Sequence, residues 1–371
     1  MTVDTACSAS FHALHLARQA IERGEIESAI VASSNLVWSP DMQLFLDKLG
    51  ALSSTSQCHV FGSDADGYGR ADGFVSLFVK SLQAAIRDGD AIQAVITGTA
   101  VNSNGRTGGI THPSPVSQEA AMRQAYRSAG NLNPKDTAYY ECHGTGTAVG
   151  DPLELKGIQN YFSPFRSEDN PLLLGSVKSN VGHAEPVSGL TGLLKAVLAI
   201  KNGILPPMIG PTTINPKLDL DHTKFKLLSE PHRWPDHNIR RASVATSGFG
   251  GANAHVIVEE YKVHEGSLAN GVSKTNDFQI SQKSKFLLPF SAHKPESLLA
   301  NFQAINAVRS RYSAIDLAYT LGVRRSKLLY RGFAIISEQN GKALVENDEL
   351  QTAKRLRTTP PKVGFVFTGM F

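Results

Sequence analysis

Cysteine is scarce in this sequence: Cys7, Cys58 and Cys142 are the only three among 371 residues. Thiols this few and this far apart exclude a disulfide framework and a zinc site built on paired cysteines. A low cysteine content is typical of proteins that work in a reducing compartment. We therefore expect an intracellular, cytoplasmic location.

Long hydrophobic runs and concentrated charge are also lacking. The longest apolar-rich run, residues 190–200, is interrupted by Lys195 and is far shorter than a membrane span. No signal peptide is visible at the N-terminus. The formal net charge is only +4, and the short basic clusters at 324–327 and 354–357 are interpreted as solvated surface. We expect a soluble protein that binds neither membranes nor nucleic acid.

Strand and helix patterns alternate along the first 261 residues, which predicts an α/β fold with a layered sheet. The hydrophobic content of 41% is sufficient for a sizeable core. No internal repeat is visible. The predicted strands are 29–32, 74–79, 92–101, 138–141, 172–177, 225–228, 241–246 and 254–259, and the main predicted helices are 11–23, 40–49, 82–88, 115–127, 151 onward and 187–202.

The composition changes after residue 261. Residues 262–285 are polar and have no clear period, which is typical of a linker. Residues 287–336 regain order as a strand, two helices and a strand, which predicts a small α+β domain. A further hydrophobic strand begins at 363 and the sequence stops at 371. We therefore place boundaries at 261/262 and 362/363.

Cys7 is predicted to lie on a tight turn between a β-prone lead and a helix that ends near Gly24. The free N–H groups at a helix N-terminus stabilise a thiolate and lower the pKa of a cysteine. Such a cysteine is a candidate nucleophile. The alternative is that Cys7 is a small buried hydrophobe, as most free cysteines are, and this stretch alone leaves both open.

Three further segments resemble strand ends followed by glycine turns, which is where α/β folds place their sites. The first carries His143, the second carries Lys178 and His183, and the third, residues 248–255, offers backbone N–H groups and His255. A thiol, two imidazoles and a glycine loop form a plausible acyl-transfer set. Each histidine alone is more often a paired structural residue, and we assign His255 to structure. Lys178 could be a simple ion-pair partner.

Four motifs together resemble a β-ketoacyl synthase, more narrowly the ketosynthase domain of a fungal type I polyketide synthase. They occur in the family's order and at about its spacing: Asp4-Thr5-Ala6-Cys7-Ser8-Ala9-Ser10; His143-Gly144-Thr145-Gly146-Thr147 with Gly150-Asp151-Pro152; Lys178-Ser179-Asn180-Val181-Gly182-His183; and Gly248-Phe249-Gly250-Gly251-Ala252-Asn253-Ala254-His255. Residues 64–73 are similar to the family's glycine-rich loop.

The later segments resemble the domains that come after a ketosynthase in such synthases. Residues 287–293 and 316–322 are similar to the linker domain between ketosynthase and acyltransferase, and 365–369 to the opening of the acyltransferase. The resemblance thus implies a ketosynthase domain at 1–261, a linker segment and linker domain at 262–362, and the first acyltransferase residues at 363–371.

The resemblance also implies a thiolase-like layered fold and a role for each matching residue. Cys7 would accept the acyl group, and His143 and His183 would support decarboxylation of a malonyl thioester. Lys178 would order the histidine network. The N–H groups of Cys7 and Phe249 would form an oxyanion hole, with Phe249 gating the pocket. No metal is implied.

The implied reaction is a decarboxylative Claisen condensation of the acyl group on cysteine with a malonyl thioester. The malonyl thioester would be carried on the phosphopantetheine of a partner acyl carrier protein domain, so no cofactor belongs to this segment itself. The complete domain would be a homodimer.

The sequence departs from the family at both ends. Almost all of the family's sequence upstream of the cysteine is absent, and Met370-Phe371 replaces an expected glutamine and glycine. We therefore expect an incomplete fold, mainly its C-terminal half, that does not condense unaided. A catalytically silent remnant is the alternative. A cysteine hydrolase of Cys–His type is a third hypothesis, but it explains neither the paired glycine-turn histidines nor the linker domain.

Overall fold

The computed structural model describes residues 1–209, 213–236, 239–262, 285–339, 342–345 and 350–353. The chain divides into two compact units, 1–264 and 265–371, and each is described by itself. The domain boundaries inferred from the sequence stay predictions. The predicted acyltransferase opening at 363–371 and most of the predicted linker at 262–285 lie outside the described residues.

The first unit alternates strands and helices. Its strands are β1 (Ser28–Asn35), β2 (Gly73–Lys80), β3 (Val95–Ser103), β4 (Tyr139–Glu141), β5 (Leu172–Gly175), β6 (Ile204–Leu205), β7 (Phe225–Leu227), β8 (His232–Arg233), β9 (Arg241–Ser247) and β10 (Ala252–Glu259). Its helices are α1 (Ala9–Glu22), α2 (Pro40–Lys48), α3 (Leu82–Arg87), α4 (Pro115–Ser128), α5 (Gly150–Phe162), α6 (Lys178–Val181) and α7 (Ser188–Asn202).

The main sheet has six strands in the order β3-β10-β9-β4-β5-β7. Strands β9, β4, β5 and β7 are mutually parallel, whereas β10 is antiparallel to both of its neighbours. A hydrophobic core lies on each face of this sheet. Because side chains alternate across a strand, consecutive residues of β4 pack into different cores. Tyr140 packs with α4 and α5, and Tyr139 packs with α1 and α7. The predicted layered α/β fold is confirmed.

A second sheet pairs only β1 and β2, antiparallel. Val31 and Leu77 lie opposite each other and face the core that contains α1. The next pair, Ile30 and Phe78, lies on the other face and is 73% and 65% exposed. This face of the two-stranded sheet therefore presents apolar side chains to solvent.

The second unit is a small α+β domain, as predicted. Its core contains side chains from the first strand, both helices and the second strand, including Phe290, Phe302, Leu317 and Ile336. None of the helices in the described ranges is long and apolar enough to cross a membrane. The elements are β11 (Lys285–Ala292), α8 (Pro295–Val308), α9 (Ala314–Val323), β12 (Tyr330–Gln339), β13 (Lys342–Val345) and β14 (Gln351–Ala353), with β11, β13 and β14 all antiparallel to β12.

Candidate active site

Cys7 lies in the turn that leads into α1, as the sequence predicts. Ala6 adopts a left-handed φ of 53°, and the hydroxyl of Ser8 donates to the carbonyl of Thr5 at 2.9 Å. The loop at Gly248 approaches this turn so closely that a Cβ there would lie 2.3 Å from the Thr5 oxygen. Only glycine permits this approach. The turn and the loop together bury Cys7.

His183 reaches Cys7 from the segment after α6. Its Nε2 is 3.2 Å from the Cys7 Sγ, and the backbone N–H of Glu185 donates to its Nδ1 at 3.2 Å. Gly182, with a φ of 80°, turns the chain out of α6 so that the imidazole faces the sulfur.

His143 follows β4 and faces His183 across the site. The two ring centroids are 5.5 Å apart and the rings are perpendicular, at 89°. The backbone N–H of Ser247 donates to the His143 Nδ1 at 3.3 Å. A cavity of about 290 Å³ is lined by Cys7, both imidazoles and Phe249, together with Tyr68 and Thr145.

The hydrogen bonds at Nδ1 determine the tautomer of both histidines. An Nδ1 that accepts a backbone N–H carries no proton, so in the neutral imidazole the proton lies on Nε2. Burial, followed by the positive charge of Lys178, holds the pKa of both His143 and His183 well below its usual range. The cavity therefore contains two neutral imidazoles that present Nε2–H donors.

Lys178 lies behind the cavity rather than in its wall. Its Nζ donates to the His143 carbonyl at 2.5 Å. Burial lowers the pKa of Lys178, and the nearby carboxylates of Glu141 and Glu154 act in the opposite direction. This contact ties the His143 turn to α6, which precedes His183.

Two buried carboxyl groups accept hydrogen bonds from the backbone of the turn that carries His143. Glu154 accepts the N–H groups of His143 and Gly144 at 2.6 and 2.8 Å, and burial raises its pKa to about 7. Asp151 accepts the N–H of Gly146, in the same turn, at 3.2 Å, and burial raises its pKa to about 6.

Glu154→Ala should therefore destabilise the first unit by about 3 kcal/mol, because two buried N–H donors lose their acceptor. The measurement is urea unfolding, where the midpoint should fall without a change in slope. The exposed Glu168→Ala is the matched control and should unfold like the unmodified chain. Equal midpoints for the two variants would contradict the role given to Glu154.

The pKa of the Cys7 thiol differs from the value that the sequence predicts. Burial raises its pKa to about 12, although Lys178 and hydrogen bonds from the N–H groups of Cys7 and Phe249 lower it in part. The helix begins only at Ala9, and removal of the sulfur from water outweighs the effect of nearby N–H groups. The predicted lowering of the pKa is wrong for the protein without substrate.

This raised pKa predicts the pH dependence of alkylation. The thiolate is the reactive form, and between pH 8 and pH 10 its fraction at Cys7 should rise about tenfold per pH unit. Iodoacetamide modification of the Cys7 peptide, followed by mass spectrometry, should show this slope in the native chain. In urea the rate should level off above about pH 9, because an exposed thiol has a pKa near 8.5. A native plateau below pH 9 would contradict the structural explanation.

Several contacts at the site involve residues that the sequence analysis did not single out. The hydroxyls of Thr246 and Ser188 both donate to the Cys7 carbonyl, at 2.8 and 3.1 Å. Both residues lie beside recognised motifs, which is the only sequence signal for them. His255 is buried in β10, with Nε2 3.2 Å from the Ser243 Oγ, and does not line the cavity.

Three sequence-family models match this chain. They are the β-ketoacyl synthase N-terminal domain over residues 1–85, the β-ketoacyl synthase C-terminal domain over 93–212, and the ketoacyl-synthetase C-terminal extension over 215–335. The chain belongs to the β-ketoacyl synthase family. These matches confirm the resemblance that the sequence motifs indicated. Enzymes of this family are condensing acyltransferases.

Its curated relatives are fungal polyketide synthases. Prosolanapyrone synthase of Alternaria solani is 39% identical over 449 residues, covering 100% of this chain and 17% of the relative. A highly reducing polyketide synthase of Aspergillus nomiae is 44% identical over 377 residues, covering 100% and 15%. This ketosynthase region thus spans about one sixth of the length of these relatives.

Solved ketosynthases have the same thiolase-like fold. The ketosynthase from module 6 of the bacillaene synthase of Bacillus subtilis superposes with a TM-score of 0.79 at 33% identity, covering 90% of this chain and 56% of that one. The oxazolomycin ketosynthase domain of Streptomyces albus gives 0.79 and 33%, covering 91% and 57%. The predicted fold class is confirmed.

Proposed function

We propose that this ketosynthase region carries out a decarboxylative Claisen condensation in polyketide synthesis. The observation that supports it most is the convergence of the Cys7 Sγ with two Nε2–H donors and with the N–H groups of Cys7 and Phe249. The reaction has two half-reactions, acyl loading and condensation with a malonyl thioester. They need a thiol, two hydrogen-bond donors to a thioester carbonyl, and an oxyanion hole.

The first half-reaction loads the acyl group. The sulfur of Cys7 attacks an acyl thioester, a new C–S bond forms, and the old thioester C–S bond breaks. The thiol proton of Cys7 leaves with the departing thiol, so the exchange is balanced. The Nε2–H of His183 points at the sulfur and stabilises negative charge there.

The second half-reaction begins with a malonyl thioester. Its C–CO2 bond breaks, carbon dioxide leaves, and the electron pair becomes an enolate. The Nε2–H groups of His143 and His183 donate to the enolate oxygen. Because both imidazoles are neutral donors, they can stabilise the enolate but do not need to remove a proton.

Carbon–carbon bond formation completes the reaction. The enolate carbon attacks the acyl carbonyl on Cys7, and the oxyanion accepts from the N–H groups of Cys7 and Phe249. The tetrahedral intermediate then collapses, the C–S bond to Cys7 breaks, and a proton from solvent restores the thiol. Lys178 and Glu154 act by holding the His143 turn.

The proposal includes the partners inferred from the sequence. Acyl and malonyl thioesters would be delivered on the phosphopantetheine of an acyl carrier protein domain, a homodimer would form in the complete domain, and the setting would be cytoplasmic. These partners are inferred from family membership, and a solved ketosynthase is longer than this chain. The loading and condensation assays below therefore use a version that carries, before residue 1, the corresponding segment of the Aspergillus nomiae relative; it is called the extended chain.

Release of carbon dioxide separates the proposed function from its alternatives. Malonyl thioester labelled in its free carboxyl group is mixed with an acyl thioester and the extended chain. The proposal predicts labelled carbon dioxide in amounts that match the β-ketoacyl product. Thioester hydrolysis without carbon dioxide would favour a cysteine hydrolase, and the absence of both products would favour the silent remnant.

A further inference from the structure

The glycine-rich loop at 64–73 has no role in the proposed chemistry, yet it runs directly against His183. The backbone N–H of His183 donates to the Gly69 carbonyl at 2.7 Å, and the N–H of Ala71 donates to the His183 carbonyl at 3.0 Å. A Cβ at Gly69 would lie 2.0 Å from the Ser56 oxygen, so only glycine fits between the Ser56 backbone and this strand-like contact with His183.

Two side chains of this loop extend the contact on either side of Gly69. The ring of Tyr68 packs edge-on against the His183 imidazole, with centroids 4.7 Å apart at 72°. The guanidinium of Arg70 makes a bidentate ion pair with Glu185, at 2.7 Å from Nε to Oε1 and 3.2 Å from an Nη to Oε2. Both partners of this ion pair are largely buried.

Glu185 is held in an unusual backbone conformation. Its φ is 46°, in the left-handed region that costs a side-chain-bearing residue free energy. In this conformation its N–H reaches the Nδ1 of His183. A fork of two hydrogen bonds restricts a carboxylate more than a single contact does, so the ion pair can maintain the strained residue in place.

We propose that Arg70 is a positioning residue that sets the tautomer of His183 by holding Glu185 in its left-handed conformation. The chain of contacts runs from the Arg70 guanidinium to the Glu185 carboxylate, from the Glu185 N–H to Nδ1, and from Nε2–H to the Cys7 sulfur. Tyr68 limits rotation of the ring. This inference deepens the proposed function and rests on it, since the donor at Nε2 serves the thioester chemistry.

The tautomer of His183 is a direct test that needs no substrate. The full chain is labelled with ¹⁵N-histidine, and the His183 signals are assigned from their loss in His183→Asn. The unmodified chain should show one neutral tautomer with the proton on Nε2. Arg70→Gln should show a mixture of both tautomers. Arg123→Gln, which breaks an exposed ion pair with Glu119 on α4, should retain the single tautomer.

A rescue variant separates positioning from general damage. Glycine favours a positive φ without help from a side chain, so Arg70→Gln combined with Glu185→Gly should restore the single tautomer. A single tautomer in Arg70→Gln alone, or a mixture that persists in the double variant while the other histidine signals are unchanged, would overturn the inference. Failure of acyl loading at Cys7 would count against the proposed function, but it would not affect the measurement of the His183 tautomer.

Discussion

Cys7→Ala should abolish transfer of an acyl group from an acyl thioester to the extended chain. Cys58 and Cys142 are also buried, but neither of them lines the cavity. Alanine removes the sulfur that faces His183, while it leaves the N–H of residue 7 in place. A radioactive acyl thioester followed by gel autoradiography measures the loss, which should be complete within detection.

The matched control for this loss is Cys58→Ala, which removes a buried thiol outside the cavity. It should retain label at the level of the unmodified chain if it remains folded, as judged by circular dichroism. Undiminished labelling of Cys7→Ala would show that another residue accepts the acyl group, and the assignment of the nucleophile would then be wrong.

Replacement of His143 or His183 by alanine should leave acyl loading in place and slow condensation by about a hundredfold or more. Loss of one positioned donor to a developing negative charge has an effect of this size. Loading requires the sulfur, and only the Nε2–H of His183 faces it, so His183→Ala should also load more slowly than His143→Ala. The enolate depends on both Nε2–H groups, so both variants should lose condensation. Label on Cys7 and formation of β-ketoacyl product are measured on the same samples.

His222→Ala is the control, because His222 is exposed and lies outside the cavity. It should load and condense like the unmodified extended chain. If His143→Ala and His183→Ala condense at the rate of this control, both histidines are structural. If they fail to load as well, their effect is not confined to the malonyl half-reaction.

Local features of the site were predictable from the sequence because they depend on near neighbours. Small residues before an amphipathic run predict the turn at Cys7, and Gly24 does mark the end of α1, with a φ of 71°. The resemblance then selected His143 and His183 from 12 histidines. Their shared cavity depends on the parallel register of β4, β5 and β9, which places the loops after these strands at one edge of the sheet.

Features that depend on distant partners were missed. Arg70 and Glu185 are 115 positions apart, and no local pattern links them. The raised pKa of Cys7 results from burial by several distant segments, so a rule about helix N-termini predicted the wrong direction. Strand β3 begins at Val95 rather than at residue 92, because its partner β10 ends at Glu259, which pairs with Val95.

The most direct test of the central claim is a single turnover on the acylated extended chain. The chain is first loaded with a short acyl group, freed of excess thioester, and then mixed with a malonyl thioester on an acyl carrier protein. Mass spectrometry monitors the Cys7 peptide and the carrier together. We predict that the acyl mass leaves Cys7 and that a β-ketoacyl chain, two carbons longer, appears on the carrier. Acyl mass that stays on Cys7, or that leaves as free acid with no extended product, would contradict the proposal.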